Sequence, residues 1–172
     1  MTTLILSVFF SISASAYDVE VDGIYYNLVK KLAMVTSGDK KYTGDVVIPA
    51  SISIDGVEYS VNRIASSAFY NCRNLSSVTI PNSVIIIEKN AFRDCIGLNS
   101  VIIPNSVTSI GLNAFENCQN LTSVTIPNSV TEIGCDAFRY CLRLTSVSIP
   151  NSITMINSYT FAFCESLTSV TI

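Results

Sequence analysis

The sequence predicts a repeat solenoid, in which short parallel β-strands stack through turns and short helical or 3₁₀ segments behind a β-hairpin-rich N-terminal cap. Two recurring residues predict the stack: phenylalanine recurs every 23 residues from Phe69 to Phe161, and cysteine keeps the same step from Cys72 to Cys164. Pro-Asn-Ser follows the same period. A fixed period of this length indicates stacked units, because one unit cannot bury its own apolar face.

One repeat shows how each element is predicted. Residues 121–126, LTSVTI, alternate apolar and polar side chains with β-branched residues, which is typical of a strand. Pro127 and Asn128 end that strand, because proline lacks an N–H donor and asparagine tolerates turn geometry. The apolar spacing within 130–138 fits a short helical or 3₁₀ segment, and a second extended piece fits it nearly as well.

The repeat frame divides the chain. We predict an N-terminal β-hairpin cap at 17–45 and a solenoid at 46–172, the latter made of a modified first repeat at 46–74, full repeats at 75–97, 98–120, 121–143 and 144–166, and a truncated repeat at 167–172. Asp22-Gly23 and Asp55-Gly56 each separate two alternating runs, which indicates hairpins. Because the sequence stops in mid-strand, we expect a fragment of a longer protein, or self-association through an uncapped C-terminal end.

Residues 1–16 are predicted to be a signal peptide. They join an apolar run to Ala14-Ser15-Ala16, a small-x-small cleavage pattern, and the alternative is a buried first strand or helix. After cleavage, no apolar run of the roughly 20 residues that a membrane helix needs remains.

Composition argues against several kinds of chemistry. A net charge of −3 without a basic stripe disfavours nucleic-acid binding. The chain has no histidine, and its carboxylates form no recurring pair, so we predict no catalytic residue, cofactor or metal site. The cysteine ladder (Cys72, Cys95, Cys118, Cys141 and Cys164) is interpreted as a buried apolar column, with disulfides between neighbouring rungs as the alternative. Cys135 lies off this ladder and is either exposed or buried.

Two surfaces could bind a protein partner. The first is the outward face of the strands, a hydroxyl array that includes Ser77, Thr79, Ser123, Thr125, Ser146 and Ser148. The second is the segment where the repeats differ, and its candidate residues are Arg139, Tyr140 and Arg143, because arginine and tyrosine are favoured interface anchors. Plain solubility explains the first array as well, and unselected variation explains the second.

The motif LTSVTIPNSVTEIGCDAF at 121–138 and its 23-residue echoes resemble the BspA-like leucine-rich repeat family. The resemblance implies a right-handed leucine-rich-repeat-like stack and a secreted or cell-surface location. It also implies adhesion to host matrix proteins or neighbouring cells. We therefore expect a non-enzymatic protein-binding role. A structural spacer for a missing C-terminal domain, or the recognition arm of a larger secreted hydrolase, are the alternatives.

Overall fold

The computed structural model describes residues 17–172, so the predicted signal peptide lies outside the described residues. Within 17–172 the chain forms fourteen strands and no helix. The strands are β1 Val19–Val21, β2 Ile24–Val29, β3 Leu32–Thr36, β4 Gly44–Val47, β5 Ser51–Ile54, β6 Val57–Ile64, β7 Leu75–Thr79, β8 Ile86–Ile87, β9 Ser100–Ile102, β10 Ser109–Ile110, β11 Ser123–Thr125, β12 Glu132–Ile133, β13 Ser146–Ser148 and β14 Ser169–Thr171.

Two hairpins precede the regular rungs. β1 pairs antiparallel with β2 across Asp22 (φ 49°) and Gly23 (φ 78°), and β5 pairs antiparallel with β6 across Asp55 (φ 50°) and Gly56 (φ 77°). Positive φ at both central residues gives the turn type whose twist matches the flanking strands. β3 pairs antiparallel with β2 and parallel with β6, and so joins the first hairpin to the stack.

The predicted parallel stack is confirmed as two columns of strands. The first column contains the sheet β4-β7-β9 and the sheet β11-β13-β14, and equivalent residues of successive rungs lie side by side within each sheet. The second column contains β6, β8, β10 and β12, also parallel. A hydrogen bond from the Val130 N–H to the Pro127 carbonyl, 3.0 Å, closes the turn between the columns, and its equivalents recur in the other rungs.

The structure decides between the two interpretations of 130–138. Residues 132–133 are extended and form β12, whereas 135–140 are turns rather than a helix. These turns stack on one another, because the Phe92 N–H donates to the Ala114 carbonyl of the next rung at 2.7 Å. Each repeat therefore contributes two short strands and one double turn.

The core is a column of aromatic rings along the stack. Rings of neighbouring rungs are nearly parallel, with centroid separations of 4.8 Å for Phe69–Phe92 rising to 5.4 Å for Phe138–Phe161. Burying one phenylalanine contributes about 2–3 kcal/mol, and each ring pair adds about 1 kcal/mol. Tyr42 extends this column at its N-terminal end, with its ring 4.5 Å from that of Phe69.

The cysteine ladder runs beside the aromatic rings. All six cysteines of 17–172 are free thiols, and the five on the ladder are buried. The Cys118 Sγ donates a hydrogen bond to the Phe92 carbonyl of the preceding rung at 3.2 Å, and three other rungs repeat the contact. The buried column interpretation therefore holds, with a hydrogen bond between rungs in addition.

Candidate functional site

Each double turn holds two residues in the left-handed backbone region, four positions apart, with φ between 56° and 62°. The first position of successive rungs holds Ser67, Asn90, Asn113, Asp136 and Tyr159, and the second holds Asn71, Asp94, Asn117, Tyr140 and Phe163. Asparagine and aspartate tolerate this conformation because their short side chains bond locally, whereas bulky residues are rare there. The aromatic residues at the last rungs are therefore exceptional.

These aromatic residues surround one arginine, and we name Arg139, Tyr140, Tyr159 and Phe163 the aromatic–arginine cluster. The Arg139 guanidinium carbon lies 4.8 Å from the Tyr140 ring centroid, 5.4 Å from that of Phe163 and 5.7 Å from that of Tyr159. The Tyr140 and Phe163 rings stack at 4.7 Å with an interplanar angle of 10°. All three distances fall within the range of cation–π attraction.

The cluster is both ordered by its own contacts and open to solvent. The Arg139 Nη1 atom lies 3.2 Å from the Asp136 Oδ1 atom, which fixes the guanidinium from the side opposite to a solvent partner. Tyr159 is 65% exposed and Phe163 is 53% exposed. An exposed arginine–aromatic group held in one geometry has the composition of an interface hot spot, because little side-chain freedom is left to lose on binding.

The equivalent positions of earlier rungs are satisfied internally. Arg93, two rungs before Arg139, pairs with Glu116 at 3.2 Å, and Glu116 is only 6% exposed and also accepts a bond from Asn113. Asn117 donates to Asp94 at 2.7 Å. These rungs use their polar groups to hold neighbouring turns together, so they offer less to a partner than the aromatic–arginine cluster does.

The structure places the predicted variable-face residues unequally. Arg139 and Tyr140 lie together in the cluster, while Arg143 is exposed on the following turn and makes no ion pair within residues 17–172. Our sequence reasoning did not single out Tyr159 and Phe163. The signal was present: each lies 23 residues after a left-handed position, Asp136 for Tyr159 and Tyr140 for Phe163.

The strand face carries the predicted hydroxyl array in register. Ser123 lies beside Ser146, and Thr125 beside Ser148. Ser77, equivalent to Ser123, donates its hydroxyl to Asp45 at 2.6 Å, and Thr79 lies between the exposed apolar side chains of Val47 and Ile102. The array is thus less uniformly polar near the N-terminal rungs than the sequence suggests.

A groove divides this face into two parts. β9 and β11 belong to different sheets, and the Thr122 N–H to Asn99 carbonyl bond beside them is 3.4 Å long, against 3.1 Å for the equivalent bond one rung later. The groove has a volume of about 450 Å³ and lies between Ile102 and Thr125. Ser77 and Thr79 therefore belong to one part, and the predicted residues from Ser123 to Ser148 to the other.

Other kinds of site find little support in the described part of the chain. No group of three or more His, Cys, Asp or Glu side chains there is arranged to hold a metal ion. Burial raises the pKa of the Cys118 and Cys141 thiols, which keeps them protonated. Across 17–172 there is also no helix with the length and apolar character required to span a membrane.

Similar proteins have the same fold. Of solved structures, a leucine rich cell surface protein from Faecalibacterium prausnitzii A2-165 is 32% identical with a TM-score of 0.77, over 94% of this chain and 43% of that one. A leucine rich repeat protein of T. pallidum is 29% identical with a TM-score of 0.71, over 86% of this chain and 78% of that one. One from Bacteroides ovatus ATCC 8483 is 26% identical with a TM-score of 0.58, over 91% and 53%.

This chain spans less than half of the F. prausnitzii protein and about half of the B. ovatus protein. No curated protein matches it. The family model for the BspA type leucine rich repeat region matches residues 62–172 in six copies, which is more than half of the chain. With the 23-residue period, the two strand columns and the double turns, this match identifies the chain as a member of the BspA type leucine rich repeat family.

Proposed function

We propose that this protein is a non-enzymatic, secreted or cell-surface binding protein whose role is adhesion to host matrix proteins or to neighbouring cells. The aromatic–arginine cluster is its principal contact surface. The hydroxyl array of the strand face, from Ser77 to Ser148, and Arg143 are secondary contacts. The partner is a protein, and binding requires no cofactor.

One observation carries this proposal: bulky aromatic residues occupy left-handed backbone positions. Tyr140, Tyr159 and Phe163 have φ of 58° to 59°, where five of the other seven equivalent residues are Asn or Asp. A left-handed L-residue costs roughly 1–2 kcal/mol, and a strained conformation that persists is a reason to look for function. The three residues meet at one arginine, so their strain is concentrated where an interface anchor would be.

The architecture supports binding over a broad surface. A solenoid offers an extended face of repeated positions, and contacts of modest strength at several rungs add up when a partner engages them together. The F. prausnitzii protein, which this chain resembles over 94% of its length, is described as a cell surface protein, in agreement with a surface location.

Binding of the purified protein to immobilised fibronectin and fibrinogen tests the proposal. We expect saturable binding that weakens about 10- to 30-fold in Arg139→Ala, because hot-spot truncations cost roughly 2 kcal/mol. Tyr140→Asn should weaken binding similarly while leaving the fold intact, because Asn is the residue that Asn117 places at the equivalent left-handed position.

Matched variants separate the two faces. Arg93→Ala removes the arginine two rungs earlier, which is occupied by Glu116, and should leave binding within about twofold. Thr125→Lys places a charge on the exposed strand face and reports any contribution of the hydroxyl array. Binding that is lost in Thr125→Lys and unaffected by Arg139→Ala would move the site to the strand face. No binding to either protein by the folded chain would count against adhesion to these matrix proteins.

A further inference from the structure

The first strand of the first column has one unused edge. β4 is the terminal strand of the sheet β4-β7-β9, and its only ladder partner is β7. The Ile48 N–H, just after β4, donates to the Thr79 carbonyl at 3.1 Å, and the Gly44 N–H donates to the Asn74 carbonyl at 2.8 Å. Because successive peptide groups of a strand point to opposite sides, the N–H and C=O groups of Asp45 and Val47 point away from β7.

These outward groups have no hydrogen-bond partner within residues 17–172. The first hairpin pairs with β3 in the second column and does not extend the first column. Val46, which is equivalent to the buried Val78 of the next rung, is consequently only half-buried. Val47, beside it, is 68% exposed. The edge of β4 is therefore an incomplete ladder next to an incomplete apolar column.

Space is available beside this edge. A groove runs between β4 and the turn of the first hairpin, and it has two lobes of about 420 Å³ and 300 Å³. Asp22, Ile24 and Val47 line both lobes, so the lobes lie along one path past the β4 edge. A groove of this form accommodates an extended segment better than a compact ligand.

The two lobes differ in chemistry. The larger lobe is lined by three carboxylates, those of Glu20, Asp22 and Asp45. Two lysines also line it, but the Lys41 Nζ is directed elsewhere, because it donates to the Tyr70 carbonyl at 2.8 Å. This lobe is acidic and favours a basic side chain.

The smaller lobe is mostly apolar, lined by Val21, Ile52 and Pro49 among others. Tyr26 also lines it, and the hydroxyl of this fully buried residue has no hydrogen-bond partner in the described structure. A buried polar group without a partner is uncommon in native proteins, so this end of the groove lacks an acceptor that a bound chain would bring.

We propose that the free edge of β4 is a strand-addition site, which takes an extended segment of a partner protein. The segment alternates β-branched apolar residues with at least one basic residue. Its main chain bonds to the outward groups of Asp45 and Val47, its basic side chain lies near the carboxylates of the larger lobe, and its apolar side chains cover Val46. The site is distinct from the aromatic–arginine cluster and does not depend on the role proposed for that cluster.

Hydrogen exchange and anisotropy test the site with a defined probe. The probe is an acetylated and amidated fluorescent peptide, Thr-Lys-Val-Val-Ile-Lys. In the free protein we expect the Asp45 and Val47 amides to exchange at least 100-fold faster than those of Val46 and Ile48, which face β7. Addition of the peptide should slow exchange at Asp45 and Val47 selectively, with saturable binding below about 1 mM.

Two variants and one altered peptide give the controls. Val47→Pro removes the outward N–H while Val46 and Ile48 keep the ladder to β7, and should weaken peptide binding at least 10-fold. Val47→Ala keeps that N–H and should change binding less than threefold. A peptide with glutamate in place of both lysines should bind at least fivefold more weakly, since it meets the same carboxylates.

Three outcomes would overturn the proposal. The first is the absence of saturable binding by a protein that is folded by circular dichroism. The second is peptide binding that leaves exchange at Asp45 and Val47 unchanged, a readout that stays informative even if Val47→Pro fails to fold. The third is slow exchange of these two amides in the free protein. Dependence of that protection on protein concentration would assign the edge to a second copy of the chain, and independence would assign it to the chain's own segment.

Discussion

Removal of one ring from the aromatic column tests the energetic basis of the stack. Phe115 is fully buried, and its ring lies between those of Phe92 at 5.0 Å and Phe138 at 5.2 Å. Phe115→Ala removes the burial of the ring, two aromatic contacts of about 1 kcal/mol each, and leaves a cavity that neighbouring rungs cannot close. Taken together, we expect a loss of about 3–5 kcal/mol in the free energy of unfolding.

Urea unfolding of the variant and the parent, followed by circular dichroism, measures this loss. Ile102→Ala is the matched control, because Ile102 is a large apolar residue that is 74% exposed, and it should change stability by less than about 0.5 kcal/mol. The slope of the unfolding free energy against urea must also be compared, since a weakened central rung can uncouple its neighbours. A loss below about 1.5 kcal/mol with an unchanged slope would refute a tightly packed ring column.

Three further predictions concern other parts of the molecule. A thiol reagent at pH 8 should modify Cys135, which is partly exposed, quickly in the native protein, and the five ladder thiols only after unfolding. Burial acts to raise the pKa of the Glu88 carboxyl, but hydrogen bonds from Arg63 and Ser66 lower it overall; the stability this gives is present above about pH 4.3 and lost as pH falls through the lowered pKa. Glu88→Gln should therefore cost about 1 kcal/mol at pH 7 in urea unfolding and nothing at pH 3. Gly23→Ala should lower the unfolding free energy by about 1 kcal/mol, because φ there is 78°, and an unchanged melting temperature would contradict the hairpin geometry.

The repeated elements could be predicted from sequence because equal spacing places equal residues in equal environments. Phe92 and Phe115 are 23 residues apart and occur one rung apart in one ring column. The segment at 130–138 could not be decided, because its apolar spacing fits a helix turn and an extended pair equally, and the bonds between rungs select the strand. Local propensity cannot represent bonds to a neighbouring rung.

The candidate site was predicted only in part for a related reason. Arg139 and Tyr140 are adjacent in sequence and attract notice by residue type, whereas Phe163 joins them through the rung spacing. The backbone conformation that makes these aromatics exceptional is a property of the double turn, which the sequence pattern did not define. The groove beside β4 depends on how the first hairpin folds back, and no periodicity extends to that segment.

The nearest-neighbour bonding of the rungs has a mechanical consequence. Each rung is bonded to the rung before it and the rung after it, as in the Phe92 N–H to Ala114 carbonyl bond, so a pulling force applied at the two chain ends meets one interface at a time. Detachment of one 23-residue rung would release roughly 70–80 Å of extended chain. Such a protein lengthens in steps under tension, dissipating energy at each step, and can keep its remaining rungs folded while a bound cell is pulled by flow.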